Sequence, residues 1–431
     1  MIDSSQYSHN CEALKAGGMK KSSLAFLLFL FLSQIVTISY ADDAEVLPKG
    51  VVRVKVDSLF YFPIDERFNP EGDVENVAVD YNKNLNSNVF RDLVIVESFF
   101  GMRTGSASIG KSIVSFEYDF TIVNSQFDYG LTDKLTVGVL IPYWWVKNNV
   151  NARLDTSSAT VGRNPNITVM LVPLWLPETV RLTTGDVQNL LGRGLDINRD
   201  GKIDIRGFGY KRVETWSNSG VSDIEAGFRY QYLKTVDWRL AFTGGVRFPT
   251  GEVDDPDNLV DYSLGKGAYA LLFRLNNDYT GIENLLLNAT VRYDLLIPDR
   301  EVQRVPDDVN IPITVNKEKV ARNLGDVFEL EFSGKYTFPK GFDLSLLYKY
   351  GFKLKDDISG NKGFAYESLE EETDWTEHVF IACLSYSTVP LYMEKNFPVP
   401  LTASISYRNR FAGSNNVLKS QYIALGLQVF F

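Results

Sequence analysis

Residues 417–431 read VLKSQYIALGLQVFF, and what closes over this segment decides the fold. Counting back from Phe431, the residues Val429, Leu427, Leu425 and Ile423 share one parity; Phe430, Gln428, Gly426, Ala424 and Tyr422 share the other. A period of two held this long is a strand with an apolar face and a mixed face. Chain ends usually fray, so a soluble domain rarely needs a strand that finishes on an aromatic last residue. An apolar face turned to lipid, with the strand paired on both edges, accounts for it.

The same period runs through the chain. LTVGVLIPY (135–143), DIEAGFRYQY (223–232), WRLAFTGGVRF (238–248), FELEFSGKYTF (328–338) and FDLSLLYKYGF (342–352) each oppose an apolar parity to a polar one. About 12 strands are expected, near 51–62, 112–129, 134–145, 222–233, 238–249, 264–276, 284–296, 325–338, 341–353, 375–388, 399–411 and 417–431. Short connections at 130–133, 234–237, 277–283, 339–341 and 389–398 alternate with long ones at 63–111, 146–221, 250–263, 297–324 and 354–374. Short turns on one side, long loops on the other and both termini on the short-turn side describe an all-β fold. It is a transmembrane antiparallel up-and-down β-barrel with long extracellular loops and periplasmic turns. A soluble β-sandwich or propeller would show similar alternation. Aromatics at strand ends (Tyr143, Trp144, Trp145; Tyr230, Tyr232, Trp238; Tyr336, Phe338), the alternating loop lengths and the terminal Phe431 favour the membrane.

Residues 1–41 are expected to be a signal peptide region with translation starting at Met19. Lys20 and Lys21 form a basic start, Leu24–Leu32 an apolar run, and Ser39-Tyr40-Ala41 a cleavage site before Asp42. Removing this segment, with its three lysines and two acids, takes the formal charge from −10 to −11. An acidic exported chain is a poor nucleic-acid binder. Only Cys383 remains, so no intrachain disulfide is possible. The barrel itself is residues 42–431, located in the outer membrane of a Gram-negative bacterium, with 146–221 as a long loop insertion. Its expected partners are outer-membrane lipid and lipopolysaccharide, the barrel-assembly machinery and a small-molecule solute. The assembly signal is Phe431, Val429 and Leu427.

FDYGLTDKLTVGVLIPY (127–143), SDIEAGFRYQYL (222–233) and VRFPTGE (246–252), followed by the terminal aromatic strand, resemble the outer-membrane transporter family labelled "MetA-pathway of phenol degradation". The resemblance covers four or five strands. It implies a barrel for uptake of aromatic or other poorly soluble compounds, and it supplies no catalytic residue.

LDINRDGKIDI (195–205) has the form of an EF-hand loop. Asp196, Asn198 and Asp200 stand at positions 1, 3 and 5, Gly201 at the sharp turn, the Lys202 carbonyl at 7 and Asp204 at 9, converging oxygens on Ca²⁺. Gly207 replaces the carboxylate of position 12, so Asp186 or Glu214 would have to complete the shell or affinity is weak. A plain Asp/Asn/Gly turn is the alternative. TGDVQNLLGRG (184–194) can form a leading helix.

Charges cannot face hydrocarbon at low cost, so Arg53, Lys55, Glu117, Glu225, Arg229, Arg239, Arg247, Arg274, Arg292, Glu329, Glu331, Lys335, Lys349, Arg408 and Arg410 are expected to line the lumen. They either set the selectivity of a polar channel or fill a narrow interior in pairs. The apolar stretch ITVMLVPLWLP (167–177) either folds into the mouth as a constriction or landing site, or packs on its own loop. His378 is the one histidine after Asp42, and no Ser-Asn pair follows it as in outer-membrane lipases; no enzyme is expected. The expected function is passive entry of small aromatic or hydrophobic solutes, with a structural or adhesive barrel as the alternative and an esterase further off.

Overall fold

The computed structural model describes residues 43–431; the expected signal segment 1–41 lies outside the described residues. Twelve strands form the wall: β1 (Val52–Tyr61), β2 (Ser108–Thr132), β3 (Leu135–Asp155), β4 (Ile224–Lys234), β5 (Trp238–Phe248), β6 (Ala270–Ile282), β7 (Leu285–Leu296), β8 (Val327–Phe338), β9 (Phe342–Lys353), β10 (Trp375–Ser387), β11 (Leu401–Gly413) and β12 (Gln421–Phe430). Each pairs antiparallel with its sequence neighbours, and β12 returns to β1 with Arg53 opposite Phe430 and Tyr61 opposite Tyr422. Phe431 completes the seam by exchanging backbone hydrogen bonds with Val52 at 2.9 and 3.0 Å. Closure leaves no free barrel edge. No described helix is long and apolar enough to cross a membrane.

Ile423, Leu425 and Leu427 are exposed, whereas Tyr422 and Ala424 are buried inward. The outer surface repeats this around the wall with Leu275, Val291, Phe332, Leu346, Leu384 and Ile405. Aromatic belts flank that band, as in Trp238 against Tyr279 at 4.9 Å and Phe342 against Tyr386 at 4.8 Å near the short turns. Toward the long loops, Tyr293, Phe328 and Phe352 form a continuous stack, with centroids 4.6 and 4.9 Å apart.

Two strand boundaries differ from expectation. The sixth strand begins at Ala270 rather than near 264, because Gly267 has φ +73° and the Asp223 carboxylate holds the Gly251 and Lys266 amides. Residues 264–269 therefore belong to the loop, and the β6–β7 turn shrinks to Glu283 and Asn284, the latter left-handed at φ +59°. In addition, β2 and β3 continue past the barrel as a hairpin to Ser108 and Asp155, so the loop expected from 146 starts ten residues later. One face of the extension is apolar (Val114, Phe116, Tyr118, Val146), and the long loops pack onto it.

That packing corrects one assignment. On β2 the inward parity is set by Asp128 and Asn124 and continues through Tyr118 and Phe116, all buried. Glu117 has the opposite parity and faces solvent on the extension, not the lumen.

Candidate functional site

The interior of the barrel is layered. At its middle, ion pairs run from strand to strand across the inner wall. Arg292 on β7 reaches Glu329 and Glu331 on β8 at 2.9 and 3.0 Å; Lys349 on β9 bridges Glu329 and Glu377, each at 2.7 Å; Glu377 on β10 meets Arg410 at 2.7 Å and Arg408 at 3.9 Å on β11. A second group joins Arg247 to Glu225 and Asp294 at 2.8 Å, with Arg274 3.7 Å from Glu225. Lower down, Arg53 pairs with Asp128 at 2.7 Å, Lys55 with Asp57 at 2.8 Å and Arg239 with Asp278 at 3.0 Å. Arg229 and Lys335 also point inward and line the cavity described below. Of the fifteen residues expected in the lumen, fourteen are there and Glu117 is not. The acidic partners Asp57, Asp128, Asp278, Asp294 and Glu377 were not foreseen. Parity would have found three of them, since Asp57, Asp278 and Asp294 lie an even number of residues from Lys55, Arg274 and Arg292; Asp128 lies at an odd spacing from Glu117, and Glu377 is the one acidic or basic residue, histidine aside, on its strand.

Nearer the short turns the lumen opens into a cavity of about 760 Å³. Part of its wall is backbone, with the Asp128 carboxylate lying over Gly138. Gly138, Gly227 and Gly245 stand side by side in register on β3, β4 and β5, and all three line the cavity. The segment before β1 enters the same space as a strap. Ala44, fully buried, donates its amide to Asp278 at 3.0 Å and accepts from the Gln231 side chain at 2.7 Å. The Leu47 amide bonds Thr136 Oγ1 at 2.8 Å, and Glu45 and Asp43 approach Arg239 and Arg229 at 3.5 and 3.9 Å. Val46 and Leu47 of the strap, Met393 of the β10–β11 turn and Phe430 and Phe431 give the cavity an apolar rim.

The opposite mouth is filled. Loop 249–269 inserts Val260, Tyr262 and Leu264 among Leu59, Phe120, Trp144 and Tyr422. The Tyr262 ring lies 4.8 Å from Phe120 and 6.3 Å from Trp144, and the Asn148 amide group holds the Val260 carbonyl at 2.9 Å. In the same loop Asp254 and Asp261 share one environment. Burial and the Asp261 and Glu301 carboxylates hold Asp254 well above the usual carboxylate range, and burial pushes Asp261 up to about 6. The Asp261 carboxylate also accepts the Asp255 amide at 3.1 Å. A raised carboxyl pKa means that folding of the loop is favoured most below about pH 4, with that contribution lost as pH rises through about 6. Hydrogen exchange at Asp255 and Leu264, corrected for intrinsic rate, is expected to quicken between pH 4.5 and 7. Asp254→Asn should flatten the dependence; an unchanged profile would contradict the pairing.

The expected cation loop is present as a turn clamped by Gly194–Leu195 against Ile205–Arg206, behind a helix α1 at Thr184–Leu191. Asp196 accepts the Asp200 and Gly201 amides at 3.1 and 2.8 Å, Asn198 that of Asp200 at 3.1 Å, Asp200 that of Lys202 at 2.9 Å, and Asp204 that of Ile197 at 2.8 Å. Among the described residues no group of three acidic, His or Cys side chains is arranged to hold a metal. Neither expected completing carboxylate reaches the loop: Asp186 caps α1 through Thr183, and Glu214 pairs with Arg212 at 3.3 Å. The 167–177 stretch does not enter the mouth. It forms a hairpin with Val161–Asn164 and buries Leu171 and Val172, leaving Val169 and Trp175 exposed. His378 sits on the outer belt with its Nδ1 2.7 Å from the Tyr348 hydroxyl, flanked by Tyr350 and Phe411.

No family model matches the chain, and no curated protein matches it. Among solved structures, the COG4313 outer membrane channel from Pseudomonas putida F1 aligns with a TM-score of 0.50 at 12% identity, over 90% of this chain and 98% of that one. The fold is that of an outer-membrane β-barrel. Such barrels reside in the outer membrane of Gram-negative bacteria. A Pseudomonas aeruginosa FadL homologue (TM-score 0.32, 9% identity, 89% and 90% covered) and a TodX monoaromatic hydrocarbon channel mutant (0.34, 9%, 89% and 91%) align less well.

Proposed function

We propose that this barrel is a passive channel for small, uncharged aromatic or aliphatic solutes. The observation that carries the reading is the 760 Å³ cavity, whose apolar rim leads to a wall of glycine backbone and mutually paired charges. The inner-wall charges lean on one another in pairs, so they neutralise locally instead of forming a ring of one sign that would select ions. Asymmetric vesicles with lipopolysaccharide as the outer leaflet, whose carbohydrate slows apolar solutes, should admit toluene faster with the protein than without it, and should discriminate against glucose. Ser385→Phe, which adds a ring at the cavity wall, should slow toluene entry several-fold. Equal toluene flux with and without protein would sink the reading and leave the barrel a structural or adhesive one, acting through its loops.

We also propose that the 195–207 loop binds Ca²⁺ weakly through Asp196, Asn198, Asp200, the Lys202 carbonyl and Asp204. The support is the spacing of Asp196, Asn198, Asp200 and Asp204 about the left-handed Gly201; the absent twelfth ligand argues for an affinity on the order of 10⁻⁴–10⁻³ M. Calorimetry with Ca²⁺ and Mg²⁺ tests it: no heat at millimolar Ca²⁺ would make the loop a turn only.

A further inference from the structure

The loops above the barrel contain two apolar clusters. One reaches down into the barrel mouth, where it includes Leu59, Tyr422 and Ala424 of the wall. The other reaches outward through Phe90, Leu93 and Val96 to a helix α2 at Leu93–Phe99, which packs on the 167–173 strand. The outward side of this second cluster is bare: Ile95, Phe99 and Trp175 are 58, 70 and 68% exposed, and Trp175 meets Phe100 edge-on at 6.1 Å. At the seam between the clusters lies a separate cavity of about 70 Å³. Tyr81, Val114 and Val213 of the lower cluster form one side of it, and Leu85, Val187 and Ile313 of the upper one form the other. Leu191 and Leu259 touch both clusters and the cavity.

The buried polar side chains around this cavity are turned to partners within the protein. The Tyr81 hydroxyl donates to the Leu259 carbonyl at 2.6 Å, and Ser112 donates to the Tyr81 and Lys83 carbonyls. Gln188 is locked to Val213 in both directions at 3.0 and 2.9 Å, and Thr184 accepts the Leu154 amide at 3.1 Å. Arg153 also lines the cavity but is exposed, so its charge stays in water. A polar solute or a water would lose hydrogen bonds on entry and regain none, whereas an apolar cavity of this kind stays dry and accepts hydrocarbon. We propose that this cavity is a binding site for the end of an aliphatic hydrocarbon chain, a station between the exposed Phe99–Trp175 surface and the barrel mouth. The volume takes the terminal few carbons of a chain, and the open side lets the remainder project. This rests on the channel reading and adds the place where solute is first held.

The test uses the full-length protein in nanodiscs with methyl-labelled Leu and Val, titrated with n-hexane. Saturable shifts are expected at Leu85, Val187 and Leu191. Ala152→Phe, on β3 against the cavity, should abolish them; Leu191→Ala, which enlarges the space, should tighten hexane binding several-fold. Heat-modifiable gel mobility verifies the barrel in each variant, and Leu191→Ala decides alone if Ala152→Phe fails to fold. Shifts that persist in Ala152→Phe, or affinity that Leu191→Ala leaves unchanged, would overturn the site. Saturable hexane binding without protein-dependent hexane or toluene flux in the lipopolysaccharide vesicles would instead overturn the channel reading and leave the site standing.

Discussion

Removing residues 43–48 is expected to raise single-channel ion conductance in planar bilayers several-fold, with the barrel strands intact. The strap adds no strand to the wall. It occupies the cavity and is tied there by Ala44 to Asp278 and Gln231, by Leu47 to Thr136, and by Glu45 to Arg239. Its loss takes a carboxylate from beside Arg239 and Val46 and Leu47 from the rim, so water and ions gain cross-section and the interior becomes more cationic. The open state should therefore also favour anions. A conductance equal to that of the wild type would show that the limiting constriction is the filled outer mouth and not the strap.

The second large effect concerns Glu377. It is fully buried and is shared by Lys349, Arg410 and Arg408. Glu377→Ala withdraws the carboxylate that Arg408 and Arg410 share in a low-dielectric interior, while Lys349 keeps Glu329. Breaking a buried pair in this way costs about 3–5 kcal/mol, because charge is left uncompensated. Urea unfolding of the detergent-folded barrel should register that loss. Glu377→Gln, which keeps the shape but not the charge, should lose part of it. Stability of the alanine variant within about 1 kcal/mol of wild type, the size of an ordinary surface substitution, would mean that the network is not what holds β9, β10 and β11 together.

The wall of the barrel was legible in the sequence because lipid imposes one rule on every strand: apolar outward, charge inward, period two. Leu425 and Leu427 on one side and Arg408 and Arg410 on the other obey it without help from the rest of the chain. The rule lapses where the environment changes. Above the bilayer, β2 keeps its period but packs its inward face on loops and its outward face on water, so Glu117 carries a charge on the outward parity. Counting in twos from Asp128 would have excluded it. The strap was not legible: Ala44 to Pro48 is short and has no period, and what places it is a set of side chains distant in sequence, Gln231 and Asp278. The filling of the mouth by Val260, Tyr262 and Leu264 was hidden for the same reason, and Leu264 was read as part of a strand. Such contacts are decided by tertiary packing, which local pattern does not encode.

The β2–β3 extension has a consequence for where the molecule meets its surroundings. From the Ile64–Tyr118 bridge to Ser108 there are ten residues, or roughly 30 Å of strand at a rise of about 3.3 Å each. The extension therefore works as a mast. It holds the loops, and the bare Phe99–Trp175 surface with them, well beyond the end of the barrel wall. Under the channel proposal, an apolar solute would touch that raised surface before it touched the wall.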